Sequence, residues 1–204
     1  FDFFLKKTFQ KVEFWLKKEV DGFRLDTVNY YFHDQELRDN PKSPIPFKKP
    51  PINPYYMQNQ LFAINQDENL VFLNKFRNLL NCYPEKTSIG EIGDSHRAIK
   101  LMKEYTKKSR IHMAYSFKLL GKEFSAPFFR DTIKEFYNEG SDSWPCWSFS
   151  NHDVIRHLSR WDKNESDSFA KLSCALLLSL PGTPCLYQGE ELGQVETELE
   201  FDEL

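Results

Sequence analysis

The stretch Gly22-Phe23-Arg24-Leu25-Asp26 (GFRLD) is a short apolar, β-type run that stops on a carboxylate. A helix-like segment precedes it: Phe4, Leu5, Phe9, Val12, Trp15 and Leu16 recur at helical spacing within residues 3–18. The same unit returns along the chain. Strands are predicted over 86–92 (KTSIGEI), 110–117, 147–153 and 183–187, and helices over 68–83, 95–107, 126–138 and 166–180. Residues 39–56 are too rich in Pro and Asn to be a core element and read as a long loop. Strand and helix in strict alternation predict an α/β fold on parallel strands. Doubly wound sheets and (β/α)8 (TIM) barrels share that signature. Three strands place polar groups at their C-terminal ends, where barrel active sites sit, which favours the barrel. A complete barrel takes about 250 residues, so a run of this length that starts on a helix implies a partial one.

Composition narrows the function. Of 204 residues, 40% are hydrophobic and 28% charged, which is ordinary for a globular protein. The net charge of −3 offers nothing to nucleic acid or anionic lipid. No apolar run nears the ~20 residues that span a membrane. The longest, Cys174 to Leu180, reads as a buried helix, and the basic patches at 47–49 and 105–108 as solvated surface. Four scattered cysteines (Cys82, Cys146, Cys174, Cys185) form no C-x-x-C pair and read as buried free thiols in a reducing, cytoplasmic setting. The high aromatic share, 16%, suits a bulky core with some rings left to line a sugar cleft.

Three strand-end acids carry the chemistry: Asp26 in GFRLD, Glu91 in SIGEIGD and Asp153 in FSNHD. A single such acid often caps the next helix. Three at one rim suggest glycoside hydrolysis, which needs one ionised carboxylate to attack and one protonated carboxyl to donate. Arg24, two residues before Asp26, falls on the same strand face and would hold Asp26 ionised. Glu91 has Gly90, Ile92 and Gly93 around it and no cation adjacent in sequence, a setting suited to the acid. Asn151 and His152 beside Asp153 can hydrogen-bond sugar hydroxyls.

These motifs resemble a known family. DGFRLDTVN (Asp21 to Asn29), GEIGD (Gly90 to Asp94) and NHDVIRH (Asn151 to His157) resemble the second, third and fourth signature regions of the α-amylase family, glycoside hydrolase family 13. The flanking YFHD (31–34), HMAYSF (112–117) and YQGEELG (187–193) are similar to its bacterial α-glucosidase and oligoglucosidase branch. The resemblance covers essentially the whole chain. It implies that Asp26 is the nucleophile, Glu91 the general acid/base and Asp153 the carboxylate gripping the distorted sugar, with Arg24 and His152 assisting. Thr27 and Gly93 would border the +1 subsite, and a Thr after the nucleophile is similar to α-1,4-preferring members. Gln188 to Glu191 would shape the last loop, and Arg156 would pair with a nearby acid.

By the same resemblance, residues 1–204 correspond to strands four to eight of a (β/α)8 barrel, the C-terminal part of the catalytic domain. The early strands, the inserted domain and the C-terminal β-domain are absent, and an isolated chain of this kind is expected to expose apolar strand edges. No cofactor is expected within the segment; a structural Ca or Mg site would belong to the missing N-terminal part. The implied activity is retaining hydrolysis of terminal α-linked glucose from small oligosaccharides, with no nucleic-acid or membrane partner and no statement on oligomeric state. Sucrose or isomaltose hydrolysis and transglucosylation would use the same acids. A non-catalytic barrel subunit is disfavoured because all three acids stand, and a divalent-metal enzyme because Arg24 would compete with the cation.

Overall fold

The computed structural model describes residues 2–44, 46, 51–94, 97–107, 109–138 and 142–197. Helices α1 (Asp2–Leu16), α2 (Asp67–Leu80), α3 (Ala98–Tyr105), α4 (Ala126–Tyr137), α5 (His157–Trp161) and α6 (Asp167–Ser179) alternate with strands β1 (Gly22–Leu25), β2 (Thr87–Ile92), β3 (Met113–Ser116), β4 (Cys146–Trp147) and β5 (Thr183–Pro184). The α/β alternation read from the sequence holds, with short 3-10 turns added at 28–30, 54–57, 117–120 and 190–192. Every strand pairing is parallel. Strands β1, β2 and β3 form one sheet and β4 and β5 a second. A parallel bridge between Ala114 and Pro145 joins them, so the strands neighbour one another in chain order.

The helix faces follow their apolar spacing. On α1, Val12 and Leu16 are buried and Leu5 and Phe9 pack against the core. Trp15, expected in that stripe, lies outside it at 52% exposure, edge-on to Phe14. The helical repeat carries position 15 off the 5-9-12-16 face. On α2, Phe72, Leu73, Phe76 and Leu80 are buried, with Phe72 stacked on Phe9 at 5.6 Å between ring centroids. A second aromatic cluster gathers Phe124, Phe129, Phe149 and Trp161 beneath α4 and α5. Serine caps open two of the helices. Ser125 Oγ accepts the Phe128 N–H at 3.3 Å to start α4, and Ser166 Oγ accepts that of Phe169 at 3.4 Å to start α6.

Further expectations need correcting, among them the strand over 183–187, which is confined to Thr183–Pro184. The strand predicted over 147–153 is confined to Cys146–Trp147. Beyond it, Ser148 Oγ donates to the Ser150 carbonyl at 2.7 Å and Asn151 Oδ1 accepts the Asp153 N–H at 3.0 Å. Local side-chain bonds replace the ladder there. The strand predicted over 110–117 likewise shrinks to Met113–Ser116, where Ser116 caps a 3-10 turn. In the 105–108 patch, Tyr105 and Thr106 are buried, while Lys108 and the 47–49 patch lie outside the described residues. Helix α6 is not wholly buried: Leu172 and Leu178 are 55% and 56% exposed. Among the described residues, no helix is long and apolar enough to cross a membrane.

The strand register positions the acids. Leu25 pairs with Gly90, so Asp26, one residue past β1, lies level with Glu91; Glu91 in turn pairs with Tyr115. Paired residues share a face, so Asp26, Glu91 and Tyr115 form a row across the C-terminal ends of three strands. Gly90 leaves room on the opposite face of β2 for the buried Ile111 and Val28. A Cβ there would lie 2.5 Å from Ile111 Cδ1 and 3.0 Å from Val28 Cγ1.

Candidate active site

One guanidinium organises the row. Arg24 Nη1 donates to Asp26 Oδ1 at 2.6 Å, while Nη2 lies 2.9 Å from Glu91 Oε2 and donates to the Tyr115 hydroxyl at 3.0 Å. Tyr115 donates to Glu91 Oε1 at 2.6 Å, and the Thr27 N–H donates to Glu91 Oε2 at 3.2 Å. Asp26 and Glu91 thus face one another across the same guanidinium.

The two acids sit in opposite environments. The Glu91 side chain is 2% exposed and the Asp26 side chain 69%. The Arg24 hydrogen bond holds the Asp26 carboxyl below the usual carboxylate range, so it is ionised through neutral and mildly acidic pH. The cation-free setting read for Glu91 is not found. Its sequence neighbours carry no charge, but the strand register brings Arg24 across from β1.

Asp153 stands apart from this row. It is 45% exposed in a turn, where Asn151 brackets it: Asn151 Nδ2 donates to Asp153 Oδ2 at 3.1 Å. His152 Nε2 lies 3.6 Å from Asp153 Oδ1, and His152 is near enough to Asp26 to act on its charge. Thr27 turns the chain in the left-handed region (φ 36°), which is what aims its N–H at Glu91. The Gly93 N–H donates to Asn29 Oδ1 at 2.9 Å, and the Tyr30 ring packs against it, 3.1 Å from where a Cβ would stand.

Other motif residues are structural. Asp94 accepts from Arg97 Nε at 2.8 Å and from Asn65 Nδ2 at 3.0 Å, pinning the start of α3. Glu190 is buried, accepting the Tyr187 N–H at 2.6 Å and meeting His157 Nδ1 at 2.8 Å, so it shapes the last loop as expected. Arg156 bonds the Gln188 carbonyl at 2.7 Å and stacks over Tyr187, and it meets a nearby acid through its backbone N–H, which donates to Glu196 Oε2 at 2.8 Å; among the described residues its guanidinium forms no ion pair. The cysteines are free thiols, but of the four expected to be buried only Cys146 is; Cys82 is exposed, and Cys174 and Cys185 are half-buried. Among the described residues, no three His, Cys, Asp or Glu side chains gather so as to hold a metal.

Sequence reading gave Tyr115 no role, although the HMAYSF segment containing it was singled out. The missing signal was register: only the Glu91–Tyr115 pairing reveals that the phenol meets the acid.

Comparison with known proteins places the chain in a family. The α-amylase catalytic-domain family matches residues 4–203. A probable α-glucosidase from Rhizobium meliloti is 44% identical over 200 residues, covering 94% of this chain and 36% of the relative. An oligo-1,6-glucosidase from Heyndrickxia coagulans is 28% identical, covering 97% of the chain and 37% of the relative. The crystal structure of the α-glucosyl transfer enzyme XgtA superposes with a TM-score of 0.90 at 45% identity, over 98% of this chain and 38% of that one. The chain spans a little over a third of the length of each.

Proposed function

The chain belongs to the α-amylase catalytic-domain family, and from that premise we propose that it forms strands four to eight of a (β/α)8 barrel in a retaining α-glucosidase. Parallel strands that neighbour one another in chain order support the barrel, since a doubly wound sheet reverses its order at a switch point. The row of acids lies at the C-terminal strand ends, where barrel enzymes carry their chemistry.

One observation carries the mechanism: Asp26 and Glu91 are held by the two terminal nitrogens of one guanidinium. Retaining enzymes place their carboxyls about 5–5.5 Å apart, and inverting enzymes about 6.5–9.5 Å apart to leave room for water. A pair held by the two ends of one guanidinium fits the first class. In the forward step, Asp26 attacks the anomeric carbon as Glu91 passes its proton to the departing glycosidic oxygen. A glucosyl ester forms and the aglycone leaves. In the second step, Glu91 takes a proton from water, the water oxygen bonds to the anomeric carbon, and the Asp26 ester bond breaks. Two displacements restore the α configuration. Asp153 and His152 would grip the sugar hydroxyls, with Thr27 and Gly93 bordering the +1 site.

The substrate class is a small α-linked gluco-oligosaccharide, with α-1,4 linkage favoured by Thr27 after the nucleophile. Transfer to an acceptor other than water is the second reading, favoured by the likeness to a structure described as an α-glucosyl transfer enzyme. Asp26→Asn and Glu91→Gln in the full-length enzyme test the assignment. Turnover of maltose is expected to be lost in both variants, and in Glu91→Gln azide is expected to restore turnover only of donors with good leaving groups. Persistent hydrolysis by Asp26→Asn would remove the nucleophile assignment.

A further inference from the structure

Glu91 is clamped unevenly. Its Oε2 has two partners on the β1 side, Arg24 Nη2 at 2.9 Å and the Thr27 N–H at 3.2 Å. Its Oε1 is met by the Tyr115 hydroxyl at 2.6 Å. The terminal torsion of a Glu side chain is broad and two-fold, so contacts at one oxygen leave the carboxyl plane free to swing. The bond from Tyr115 to the second oxygen sets that plane. The phenol is itself fixed. It has one proton, donated to Glu91, and its oxygen accepts from Arg24 Nη2 at 3.0 Å. The ring is 5% exposed and packs with buried Leu120 and Cys146, with Ile89 and Met113 beside them. Burial, aided by the bond to Glu91, pushes the Tyr115 phenol above its ordinary range, so it remains a donor at any working pH.

We propose that Tyr115 is a positioning residue, which orients the Glu91 carboxyl toward the leaving oxygen and keeps Arg24 shared between the two acids. The proposal rests on reading Glu91 as the general acid/base. Catalytic groups must be held to about 10–20° of their productive geometry, and a carboxyl misaimed by its own torsion would fail at proton transfer, not at binding or attack.

The test is Tyr115→Phe in the full-length enzyme, with two donors. Maltose needs its leaving oxygen protonated; an activated α-glucosyl donor with a good leaving group, assayed with azide, needs neither the acid nor the base. Rates are normalised by titrating active sites with a 5-fluoro-α-glucosyl donor that traps the nucleophile, so a poorly folded preparation does not obscure the ratio. The expected result is a loss of kcat on maltose of ~10- to ~100-fold, a change on the activated donor of less than about threefold and a near-constant KM. Equal losses on both donors would assign Tyr115 a merely structural role and overturn the proposal, as would unchanged maltose turnover. Glu91→Gln, run alongside, separates the two ideas. If it shows the leaving-group dependence and Tyr115→Phe does not, the positioning role falls and the acid/base reading stands. If Glu91→Gln shows none, the acid/base reading itself falls.

Discussion

Two acid–base clusters in this molecule have similar ingredients and opposite designs. At the ends of β1, β2 and β3, Arg24 joins an exposed Asp26 to a buried Glu91. Beyond β4, His157 Nδ1 meets Glu190 Oε1 at 2.8 Å and its Nε2 meets Ser173 Oγ at 2.7 Å. Distances alone would make Ser173-His157-Glu190 the more familiar hydrolytic arrangement. Yet Ser173 is 0% exposed, His157 3% and Glu190 3%, and Ser173 sits inside α6. That network is closed on itself: Ser150 and the Tyr187 N–H take the remaining positions. It ties β4, α5, α6 and the last loop together. The first cluster leaves one acid open to a substrate and the other sheltered, which is what acid and nucleophile need. Shared polar chemistry does not make a site; a sheltered group next to an accessible one does.

That contrast can be broken by mutation, and the largest effect should fall on Asp26. Asp26→Asn in the full-length enzyme is expected to cost more than the ~10²–10⁴-fold that general acid–base catalysis contributes, with the thermal midpoint barely moved; steady-state kinetics with melting curves check this. His157→Ala should do the reverse. Removing the imidazole leaves the buried Glu190 and Ser173 without their partner, which costs about 1–3 kcal/mol or more, so the midpoint should drop sharply while the folded fraction keeps its kcat. A His157 variant that is stable and inactive would show the closed network to be chemical after all.

A subtler effect concerns pH. Arg24 holds the Asp26 carboxyl low, so the reactive carboxylate persists until pH falls through that depressed value. In Arg24→Gln the carboxyl returns toward its ordinary 3.8, and the acidic limb of kcat/KM should move to higher pH. A limb that stays put, or moves down, would mean another group controls it. The smallest effect is expected at Ser173→Ala, which removes the hydroxyl that meets His157 and donates to the Ala170 carbonyl and should cost about 1–3 kcal/mol with no change in kcat.

How much of this the sequence disclosed follows from the range of each interaction. The α/β alternation and the pairing of Arg24 with Asp26 are local, set by the helical and strand periods, and could be read directly. The surroundings of Glu91 could not, because Arg24 and Tyr115 reach it from other strands, brought alongside by register. The stretch before Asp153 misled for another reason. Its apolar run suggested a strand, but Ser148, Ser150 and Asn151 bond locally and break the ladder. Trp15 shows the same limit at a helix, where an apolar residue one step off the stripe is left outside the core.

The most direct test of paired displacement at Asp26 and Glu91 is the configuration of the first glucose released from maltose by the full-length enzyme, followed by proton NMR before mutarotation. The expected signal is α-glucose rising first, with the β-anomer appearing only as the two equilibrate. Initial release of β-glucose would mean a single displacement by water and would contradict the shared-cation pair as nucleophile and acid/base.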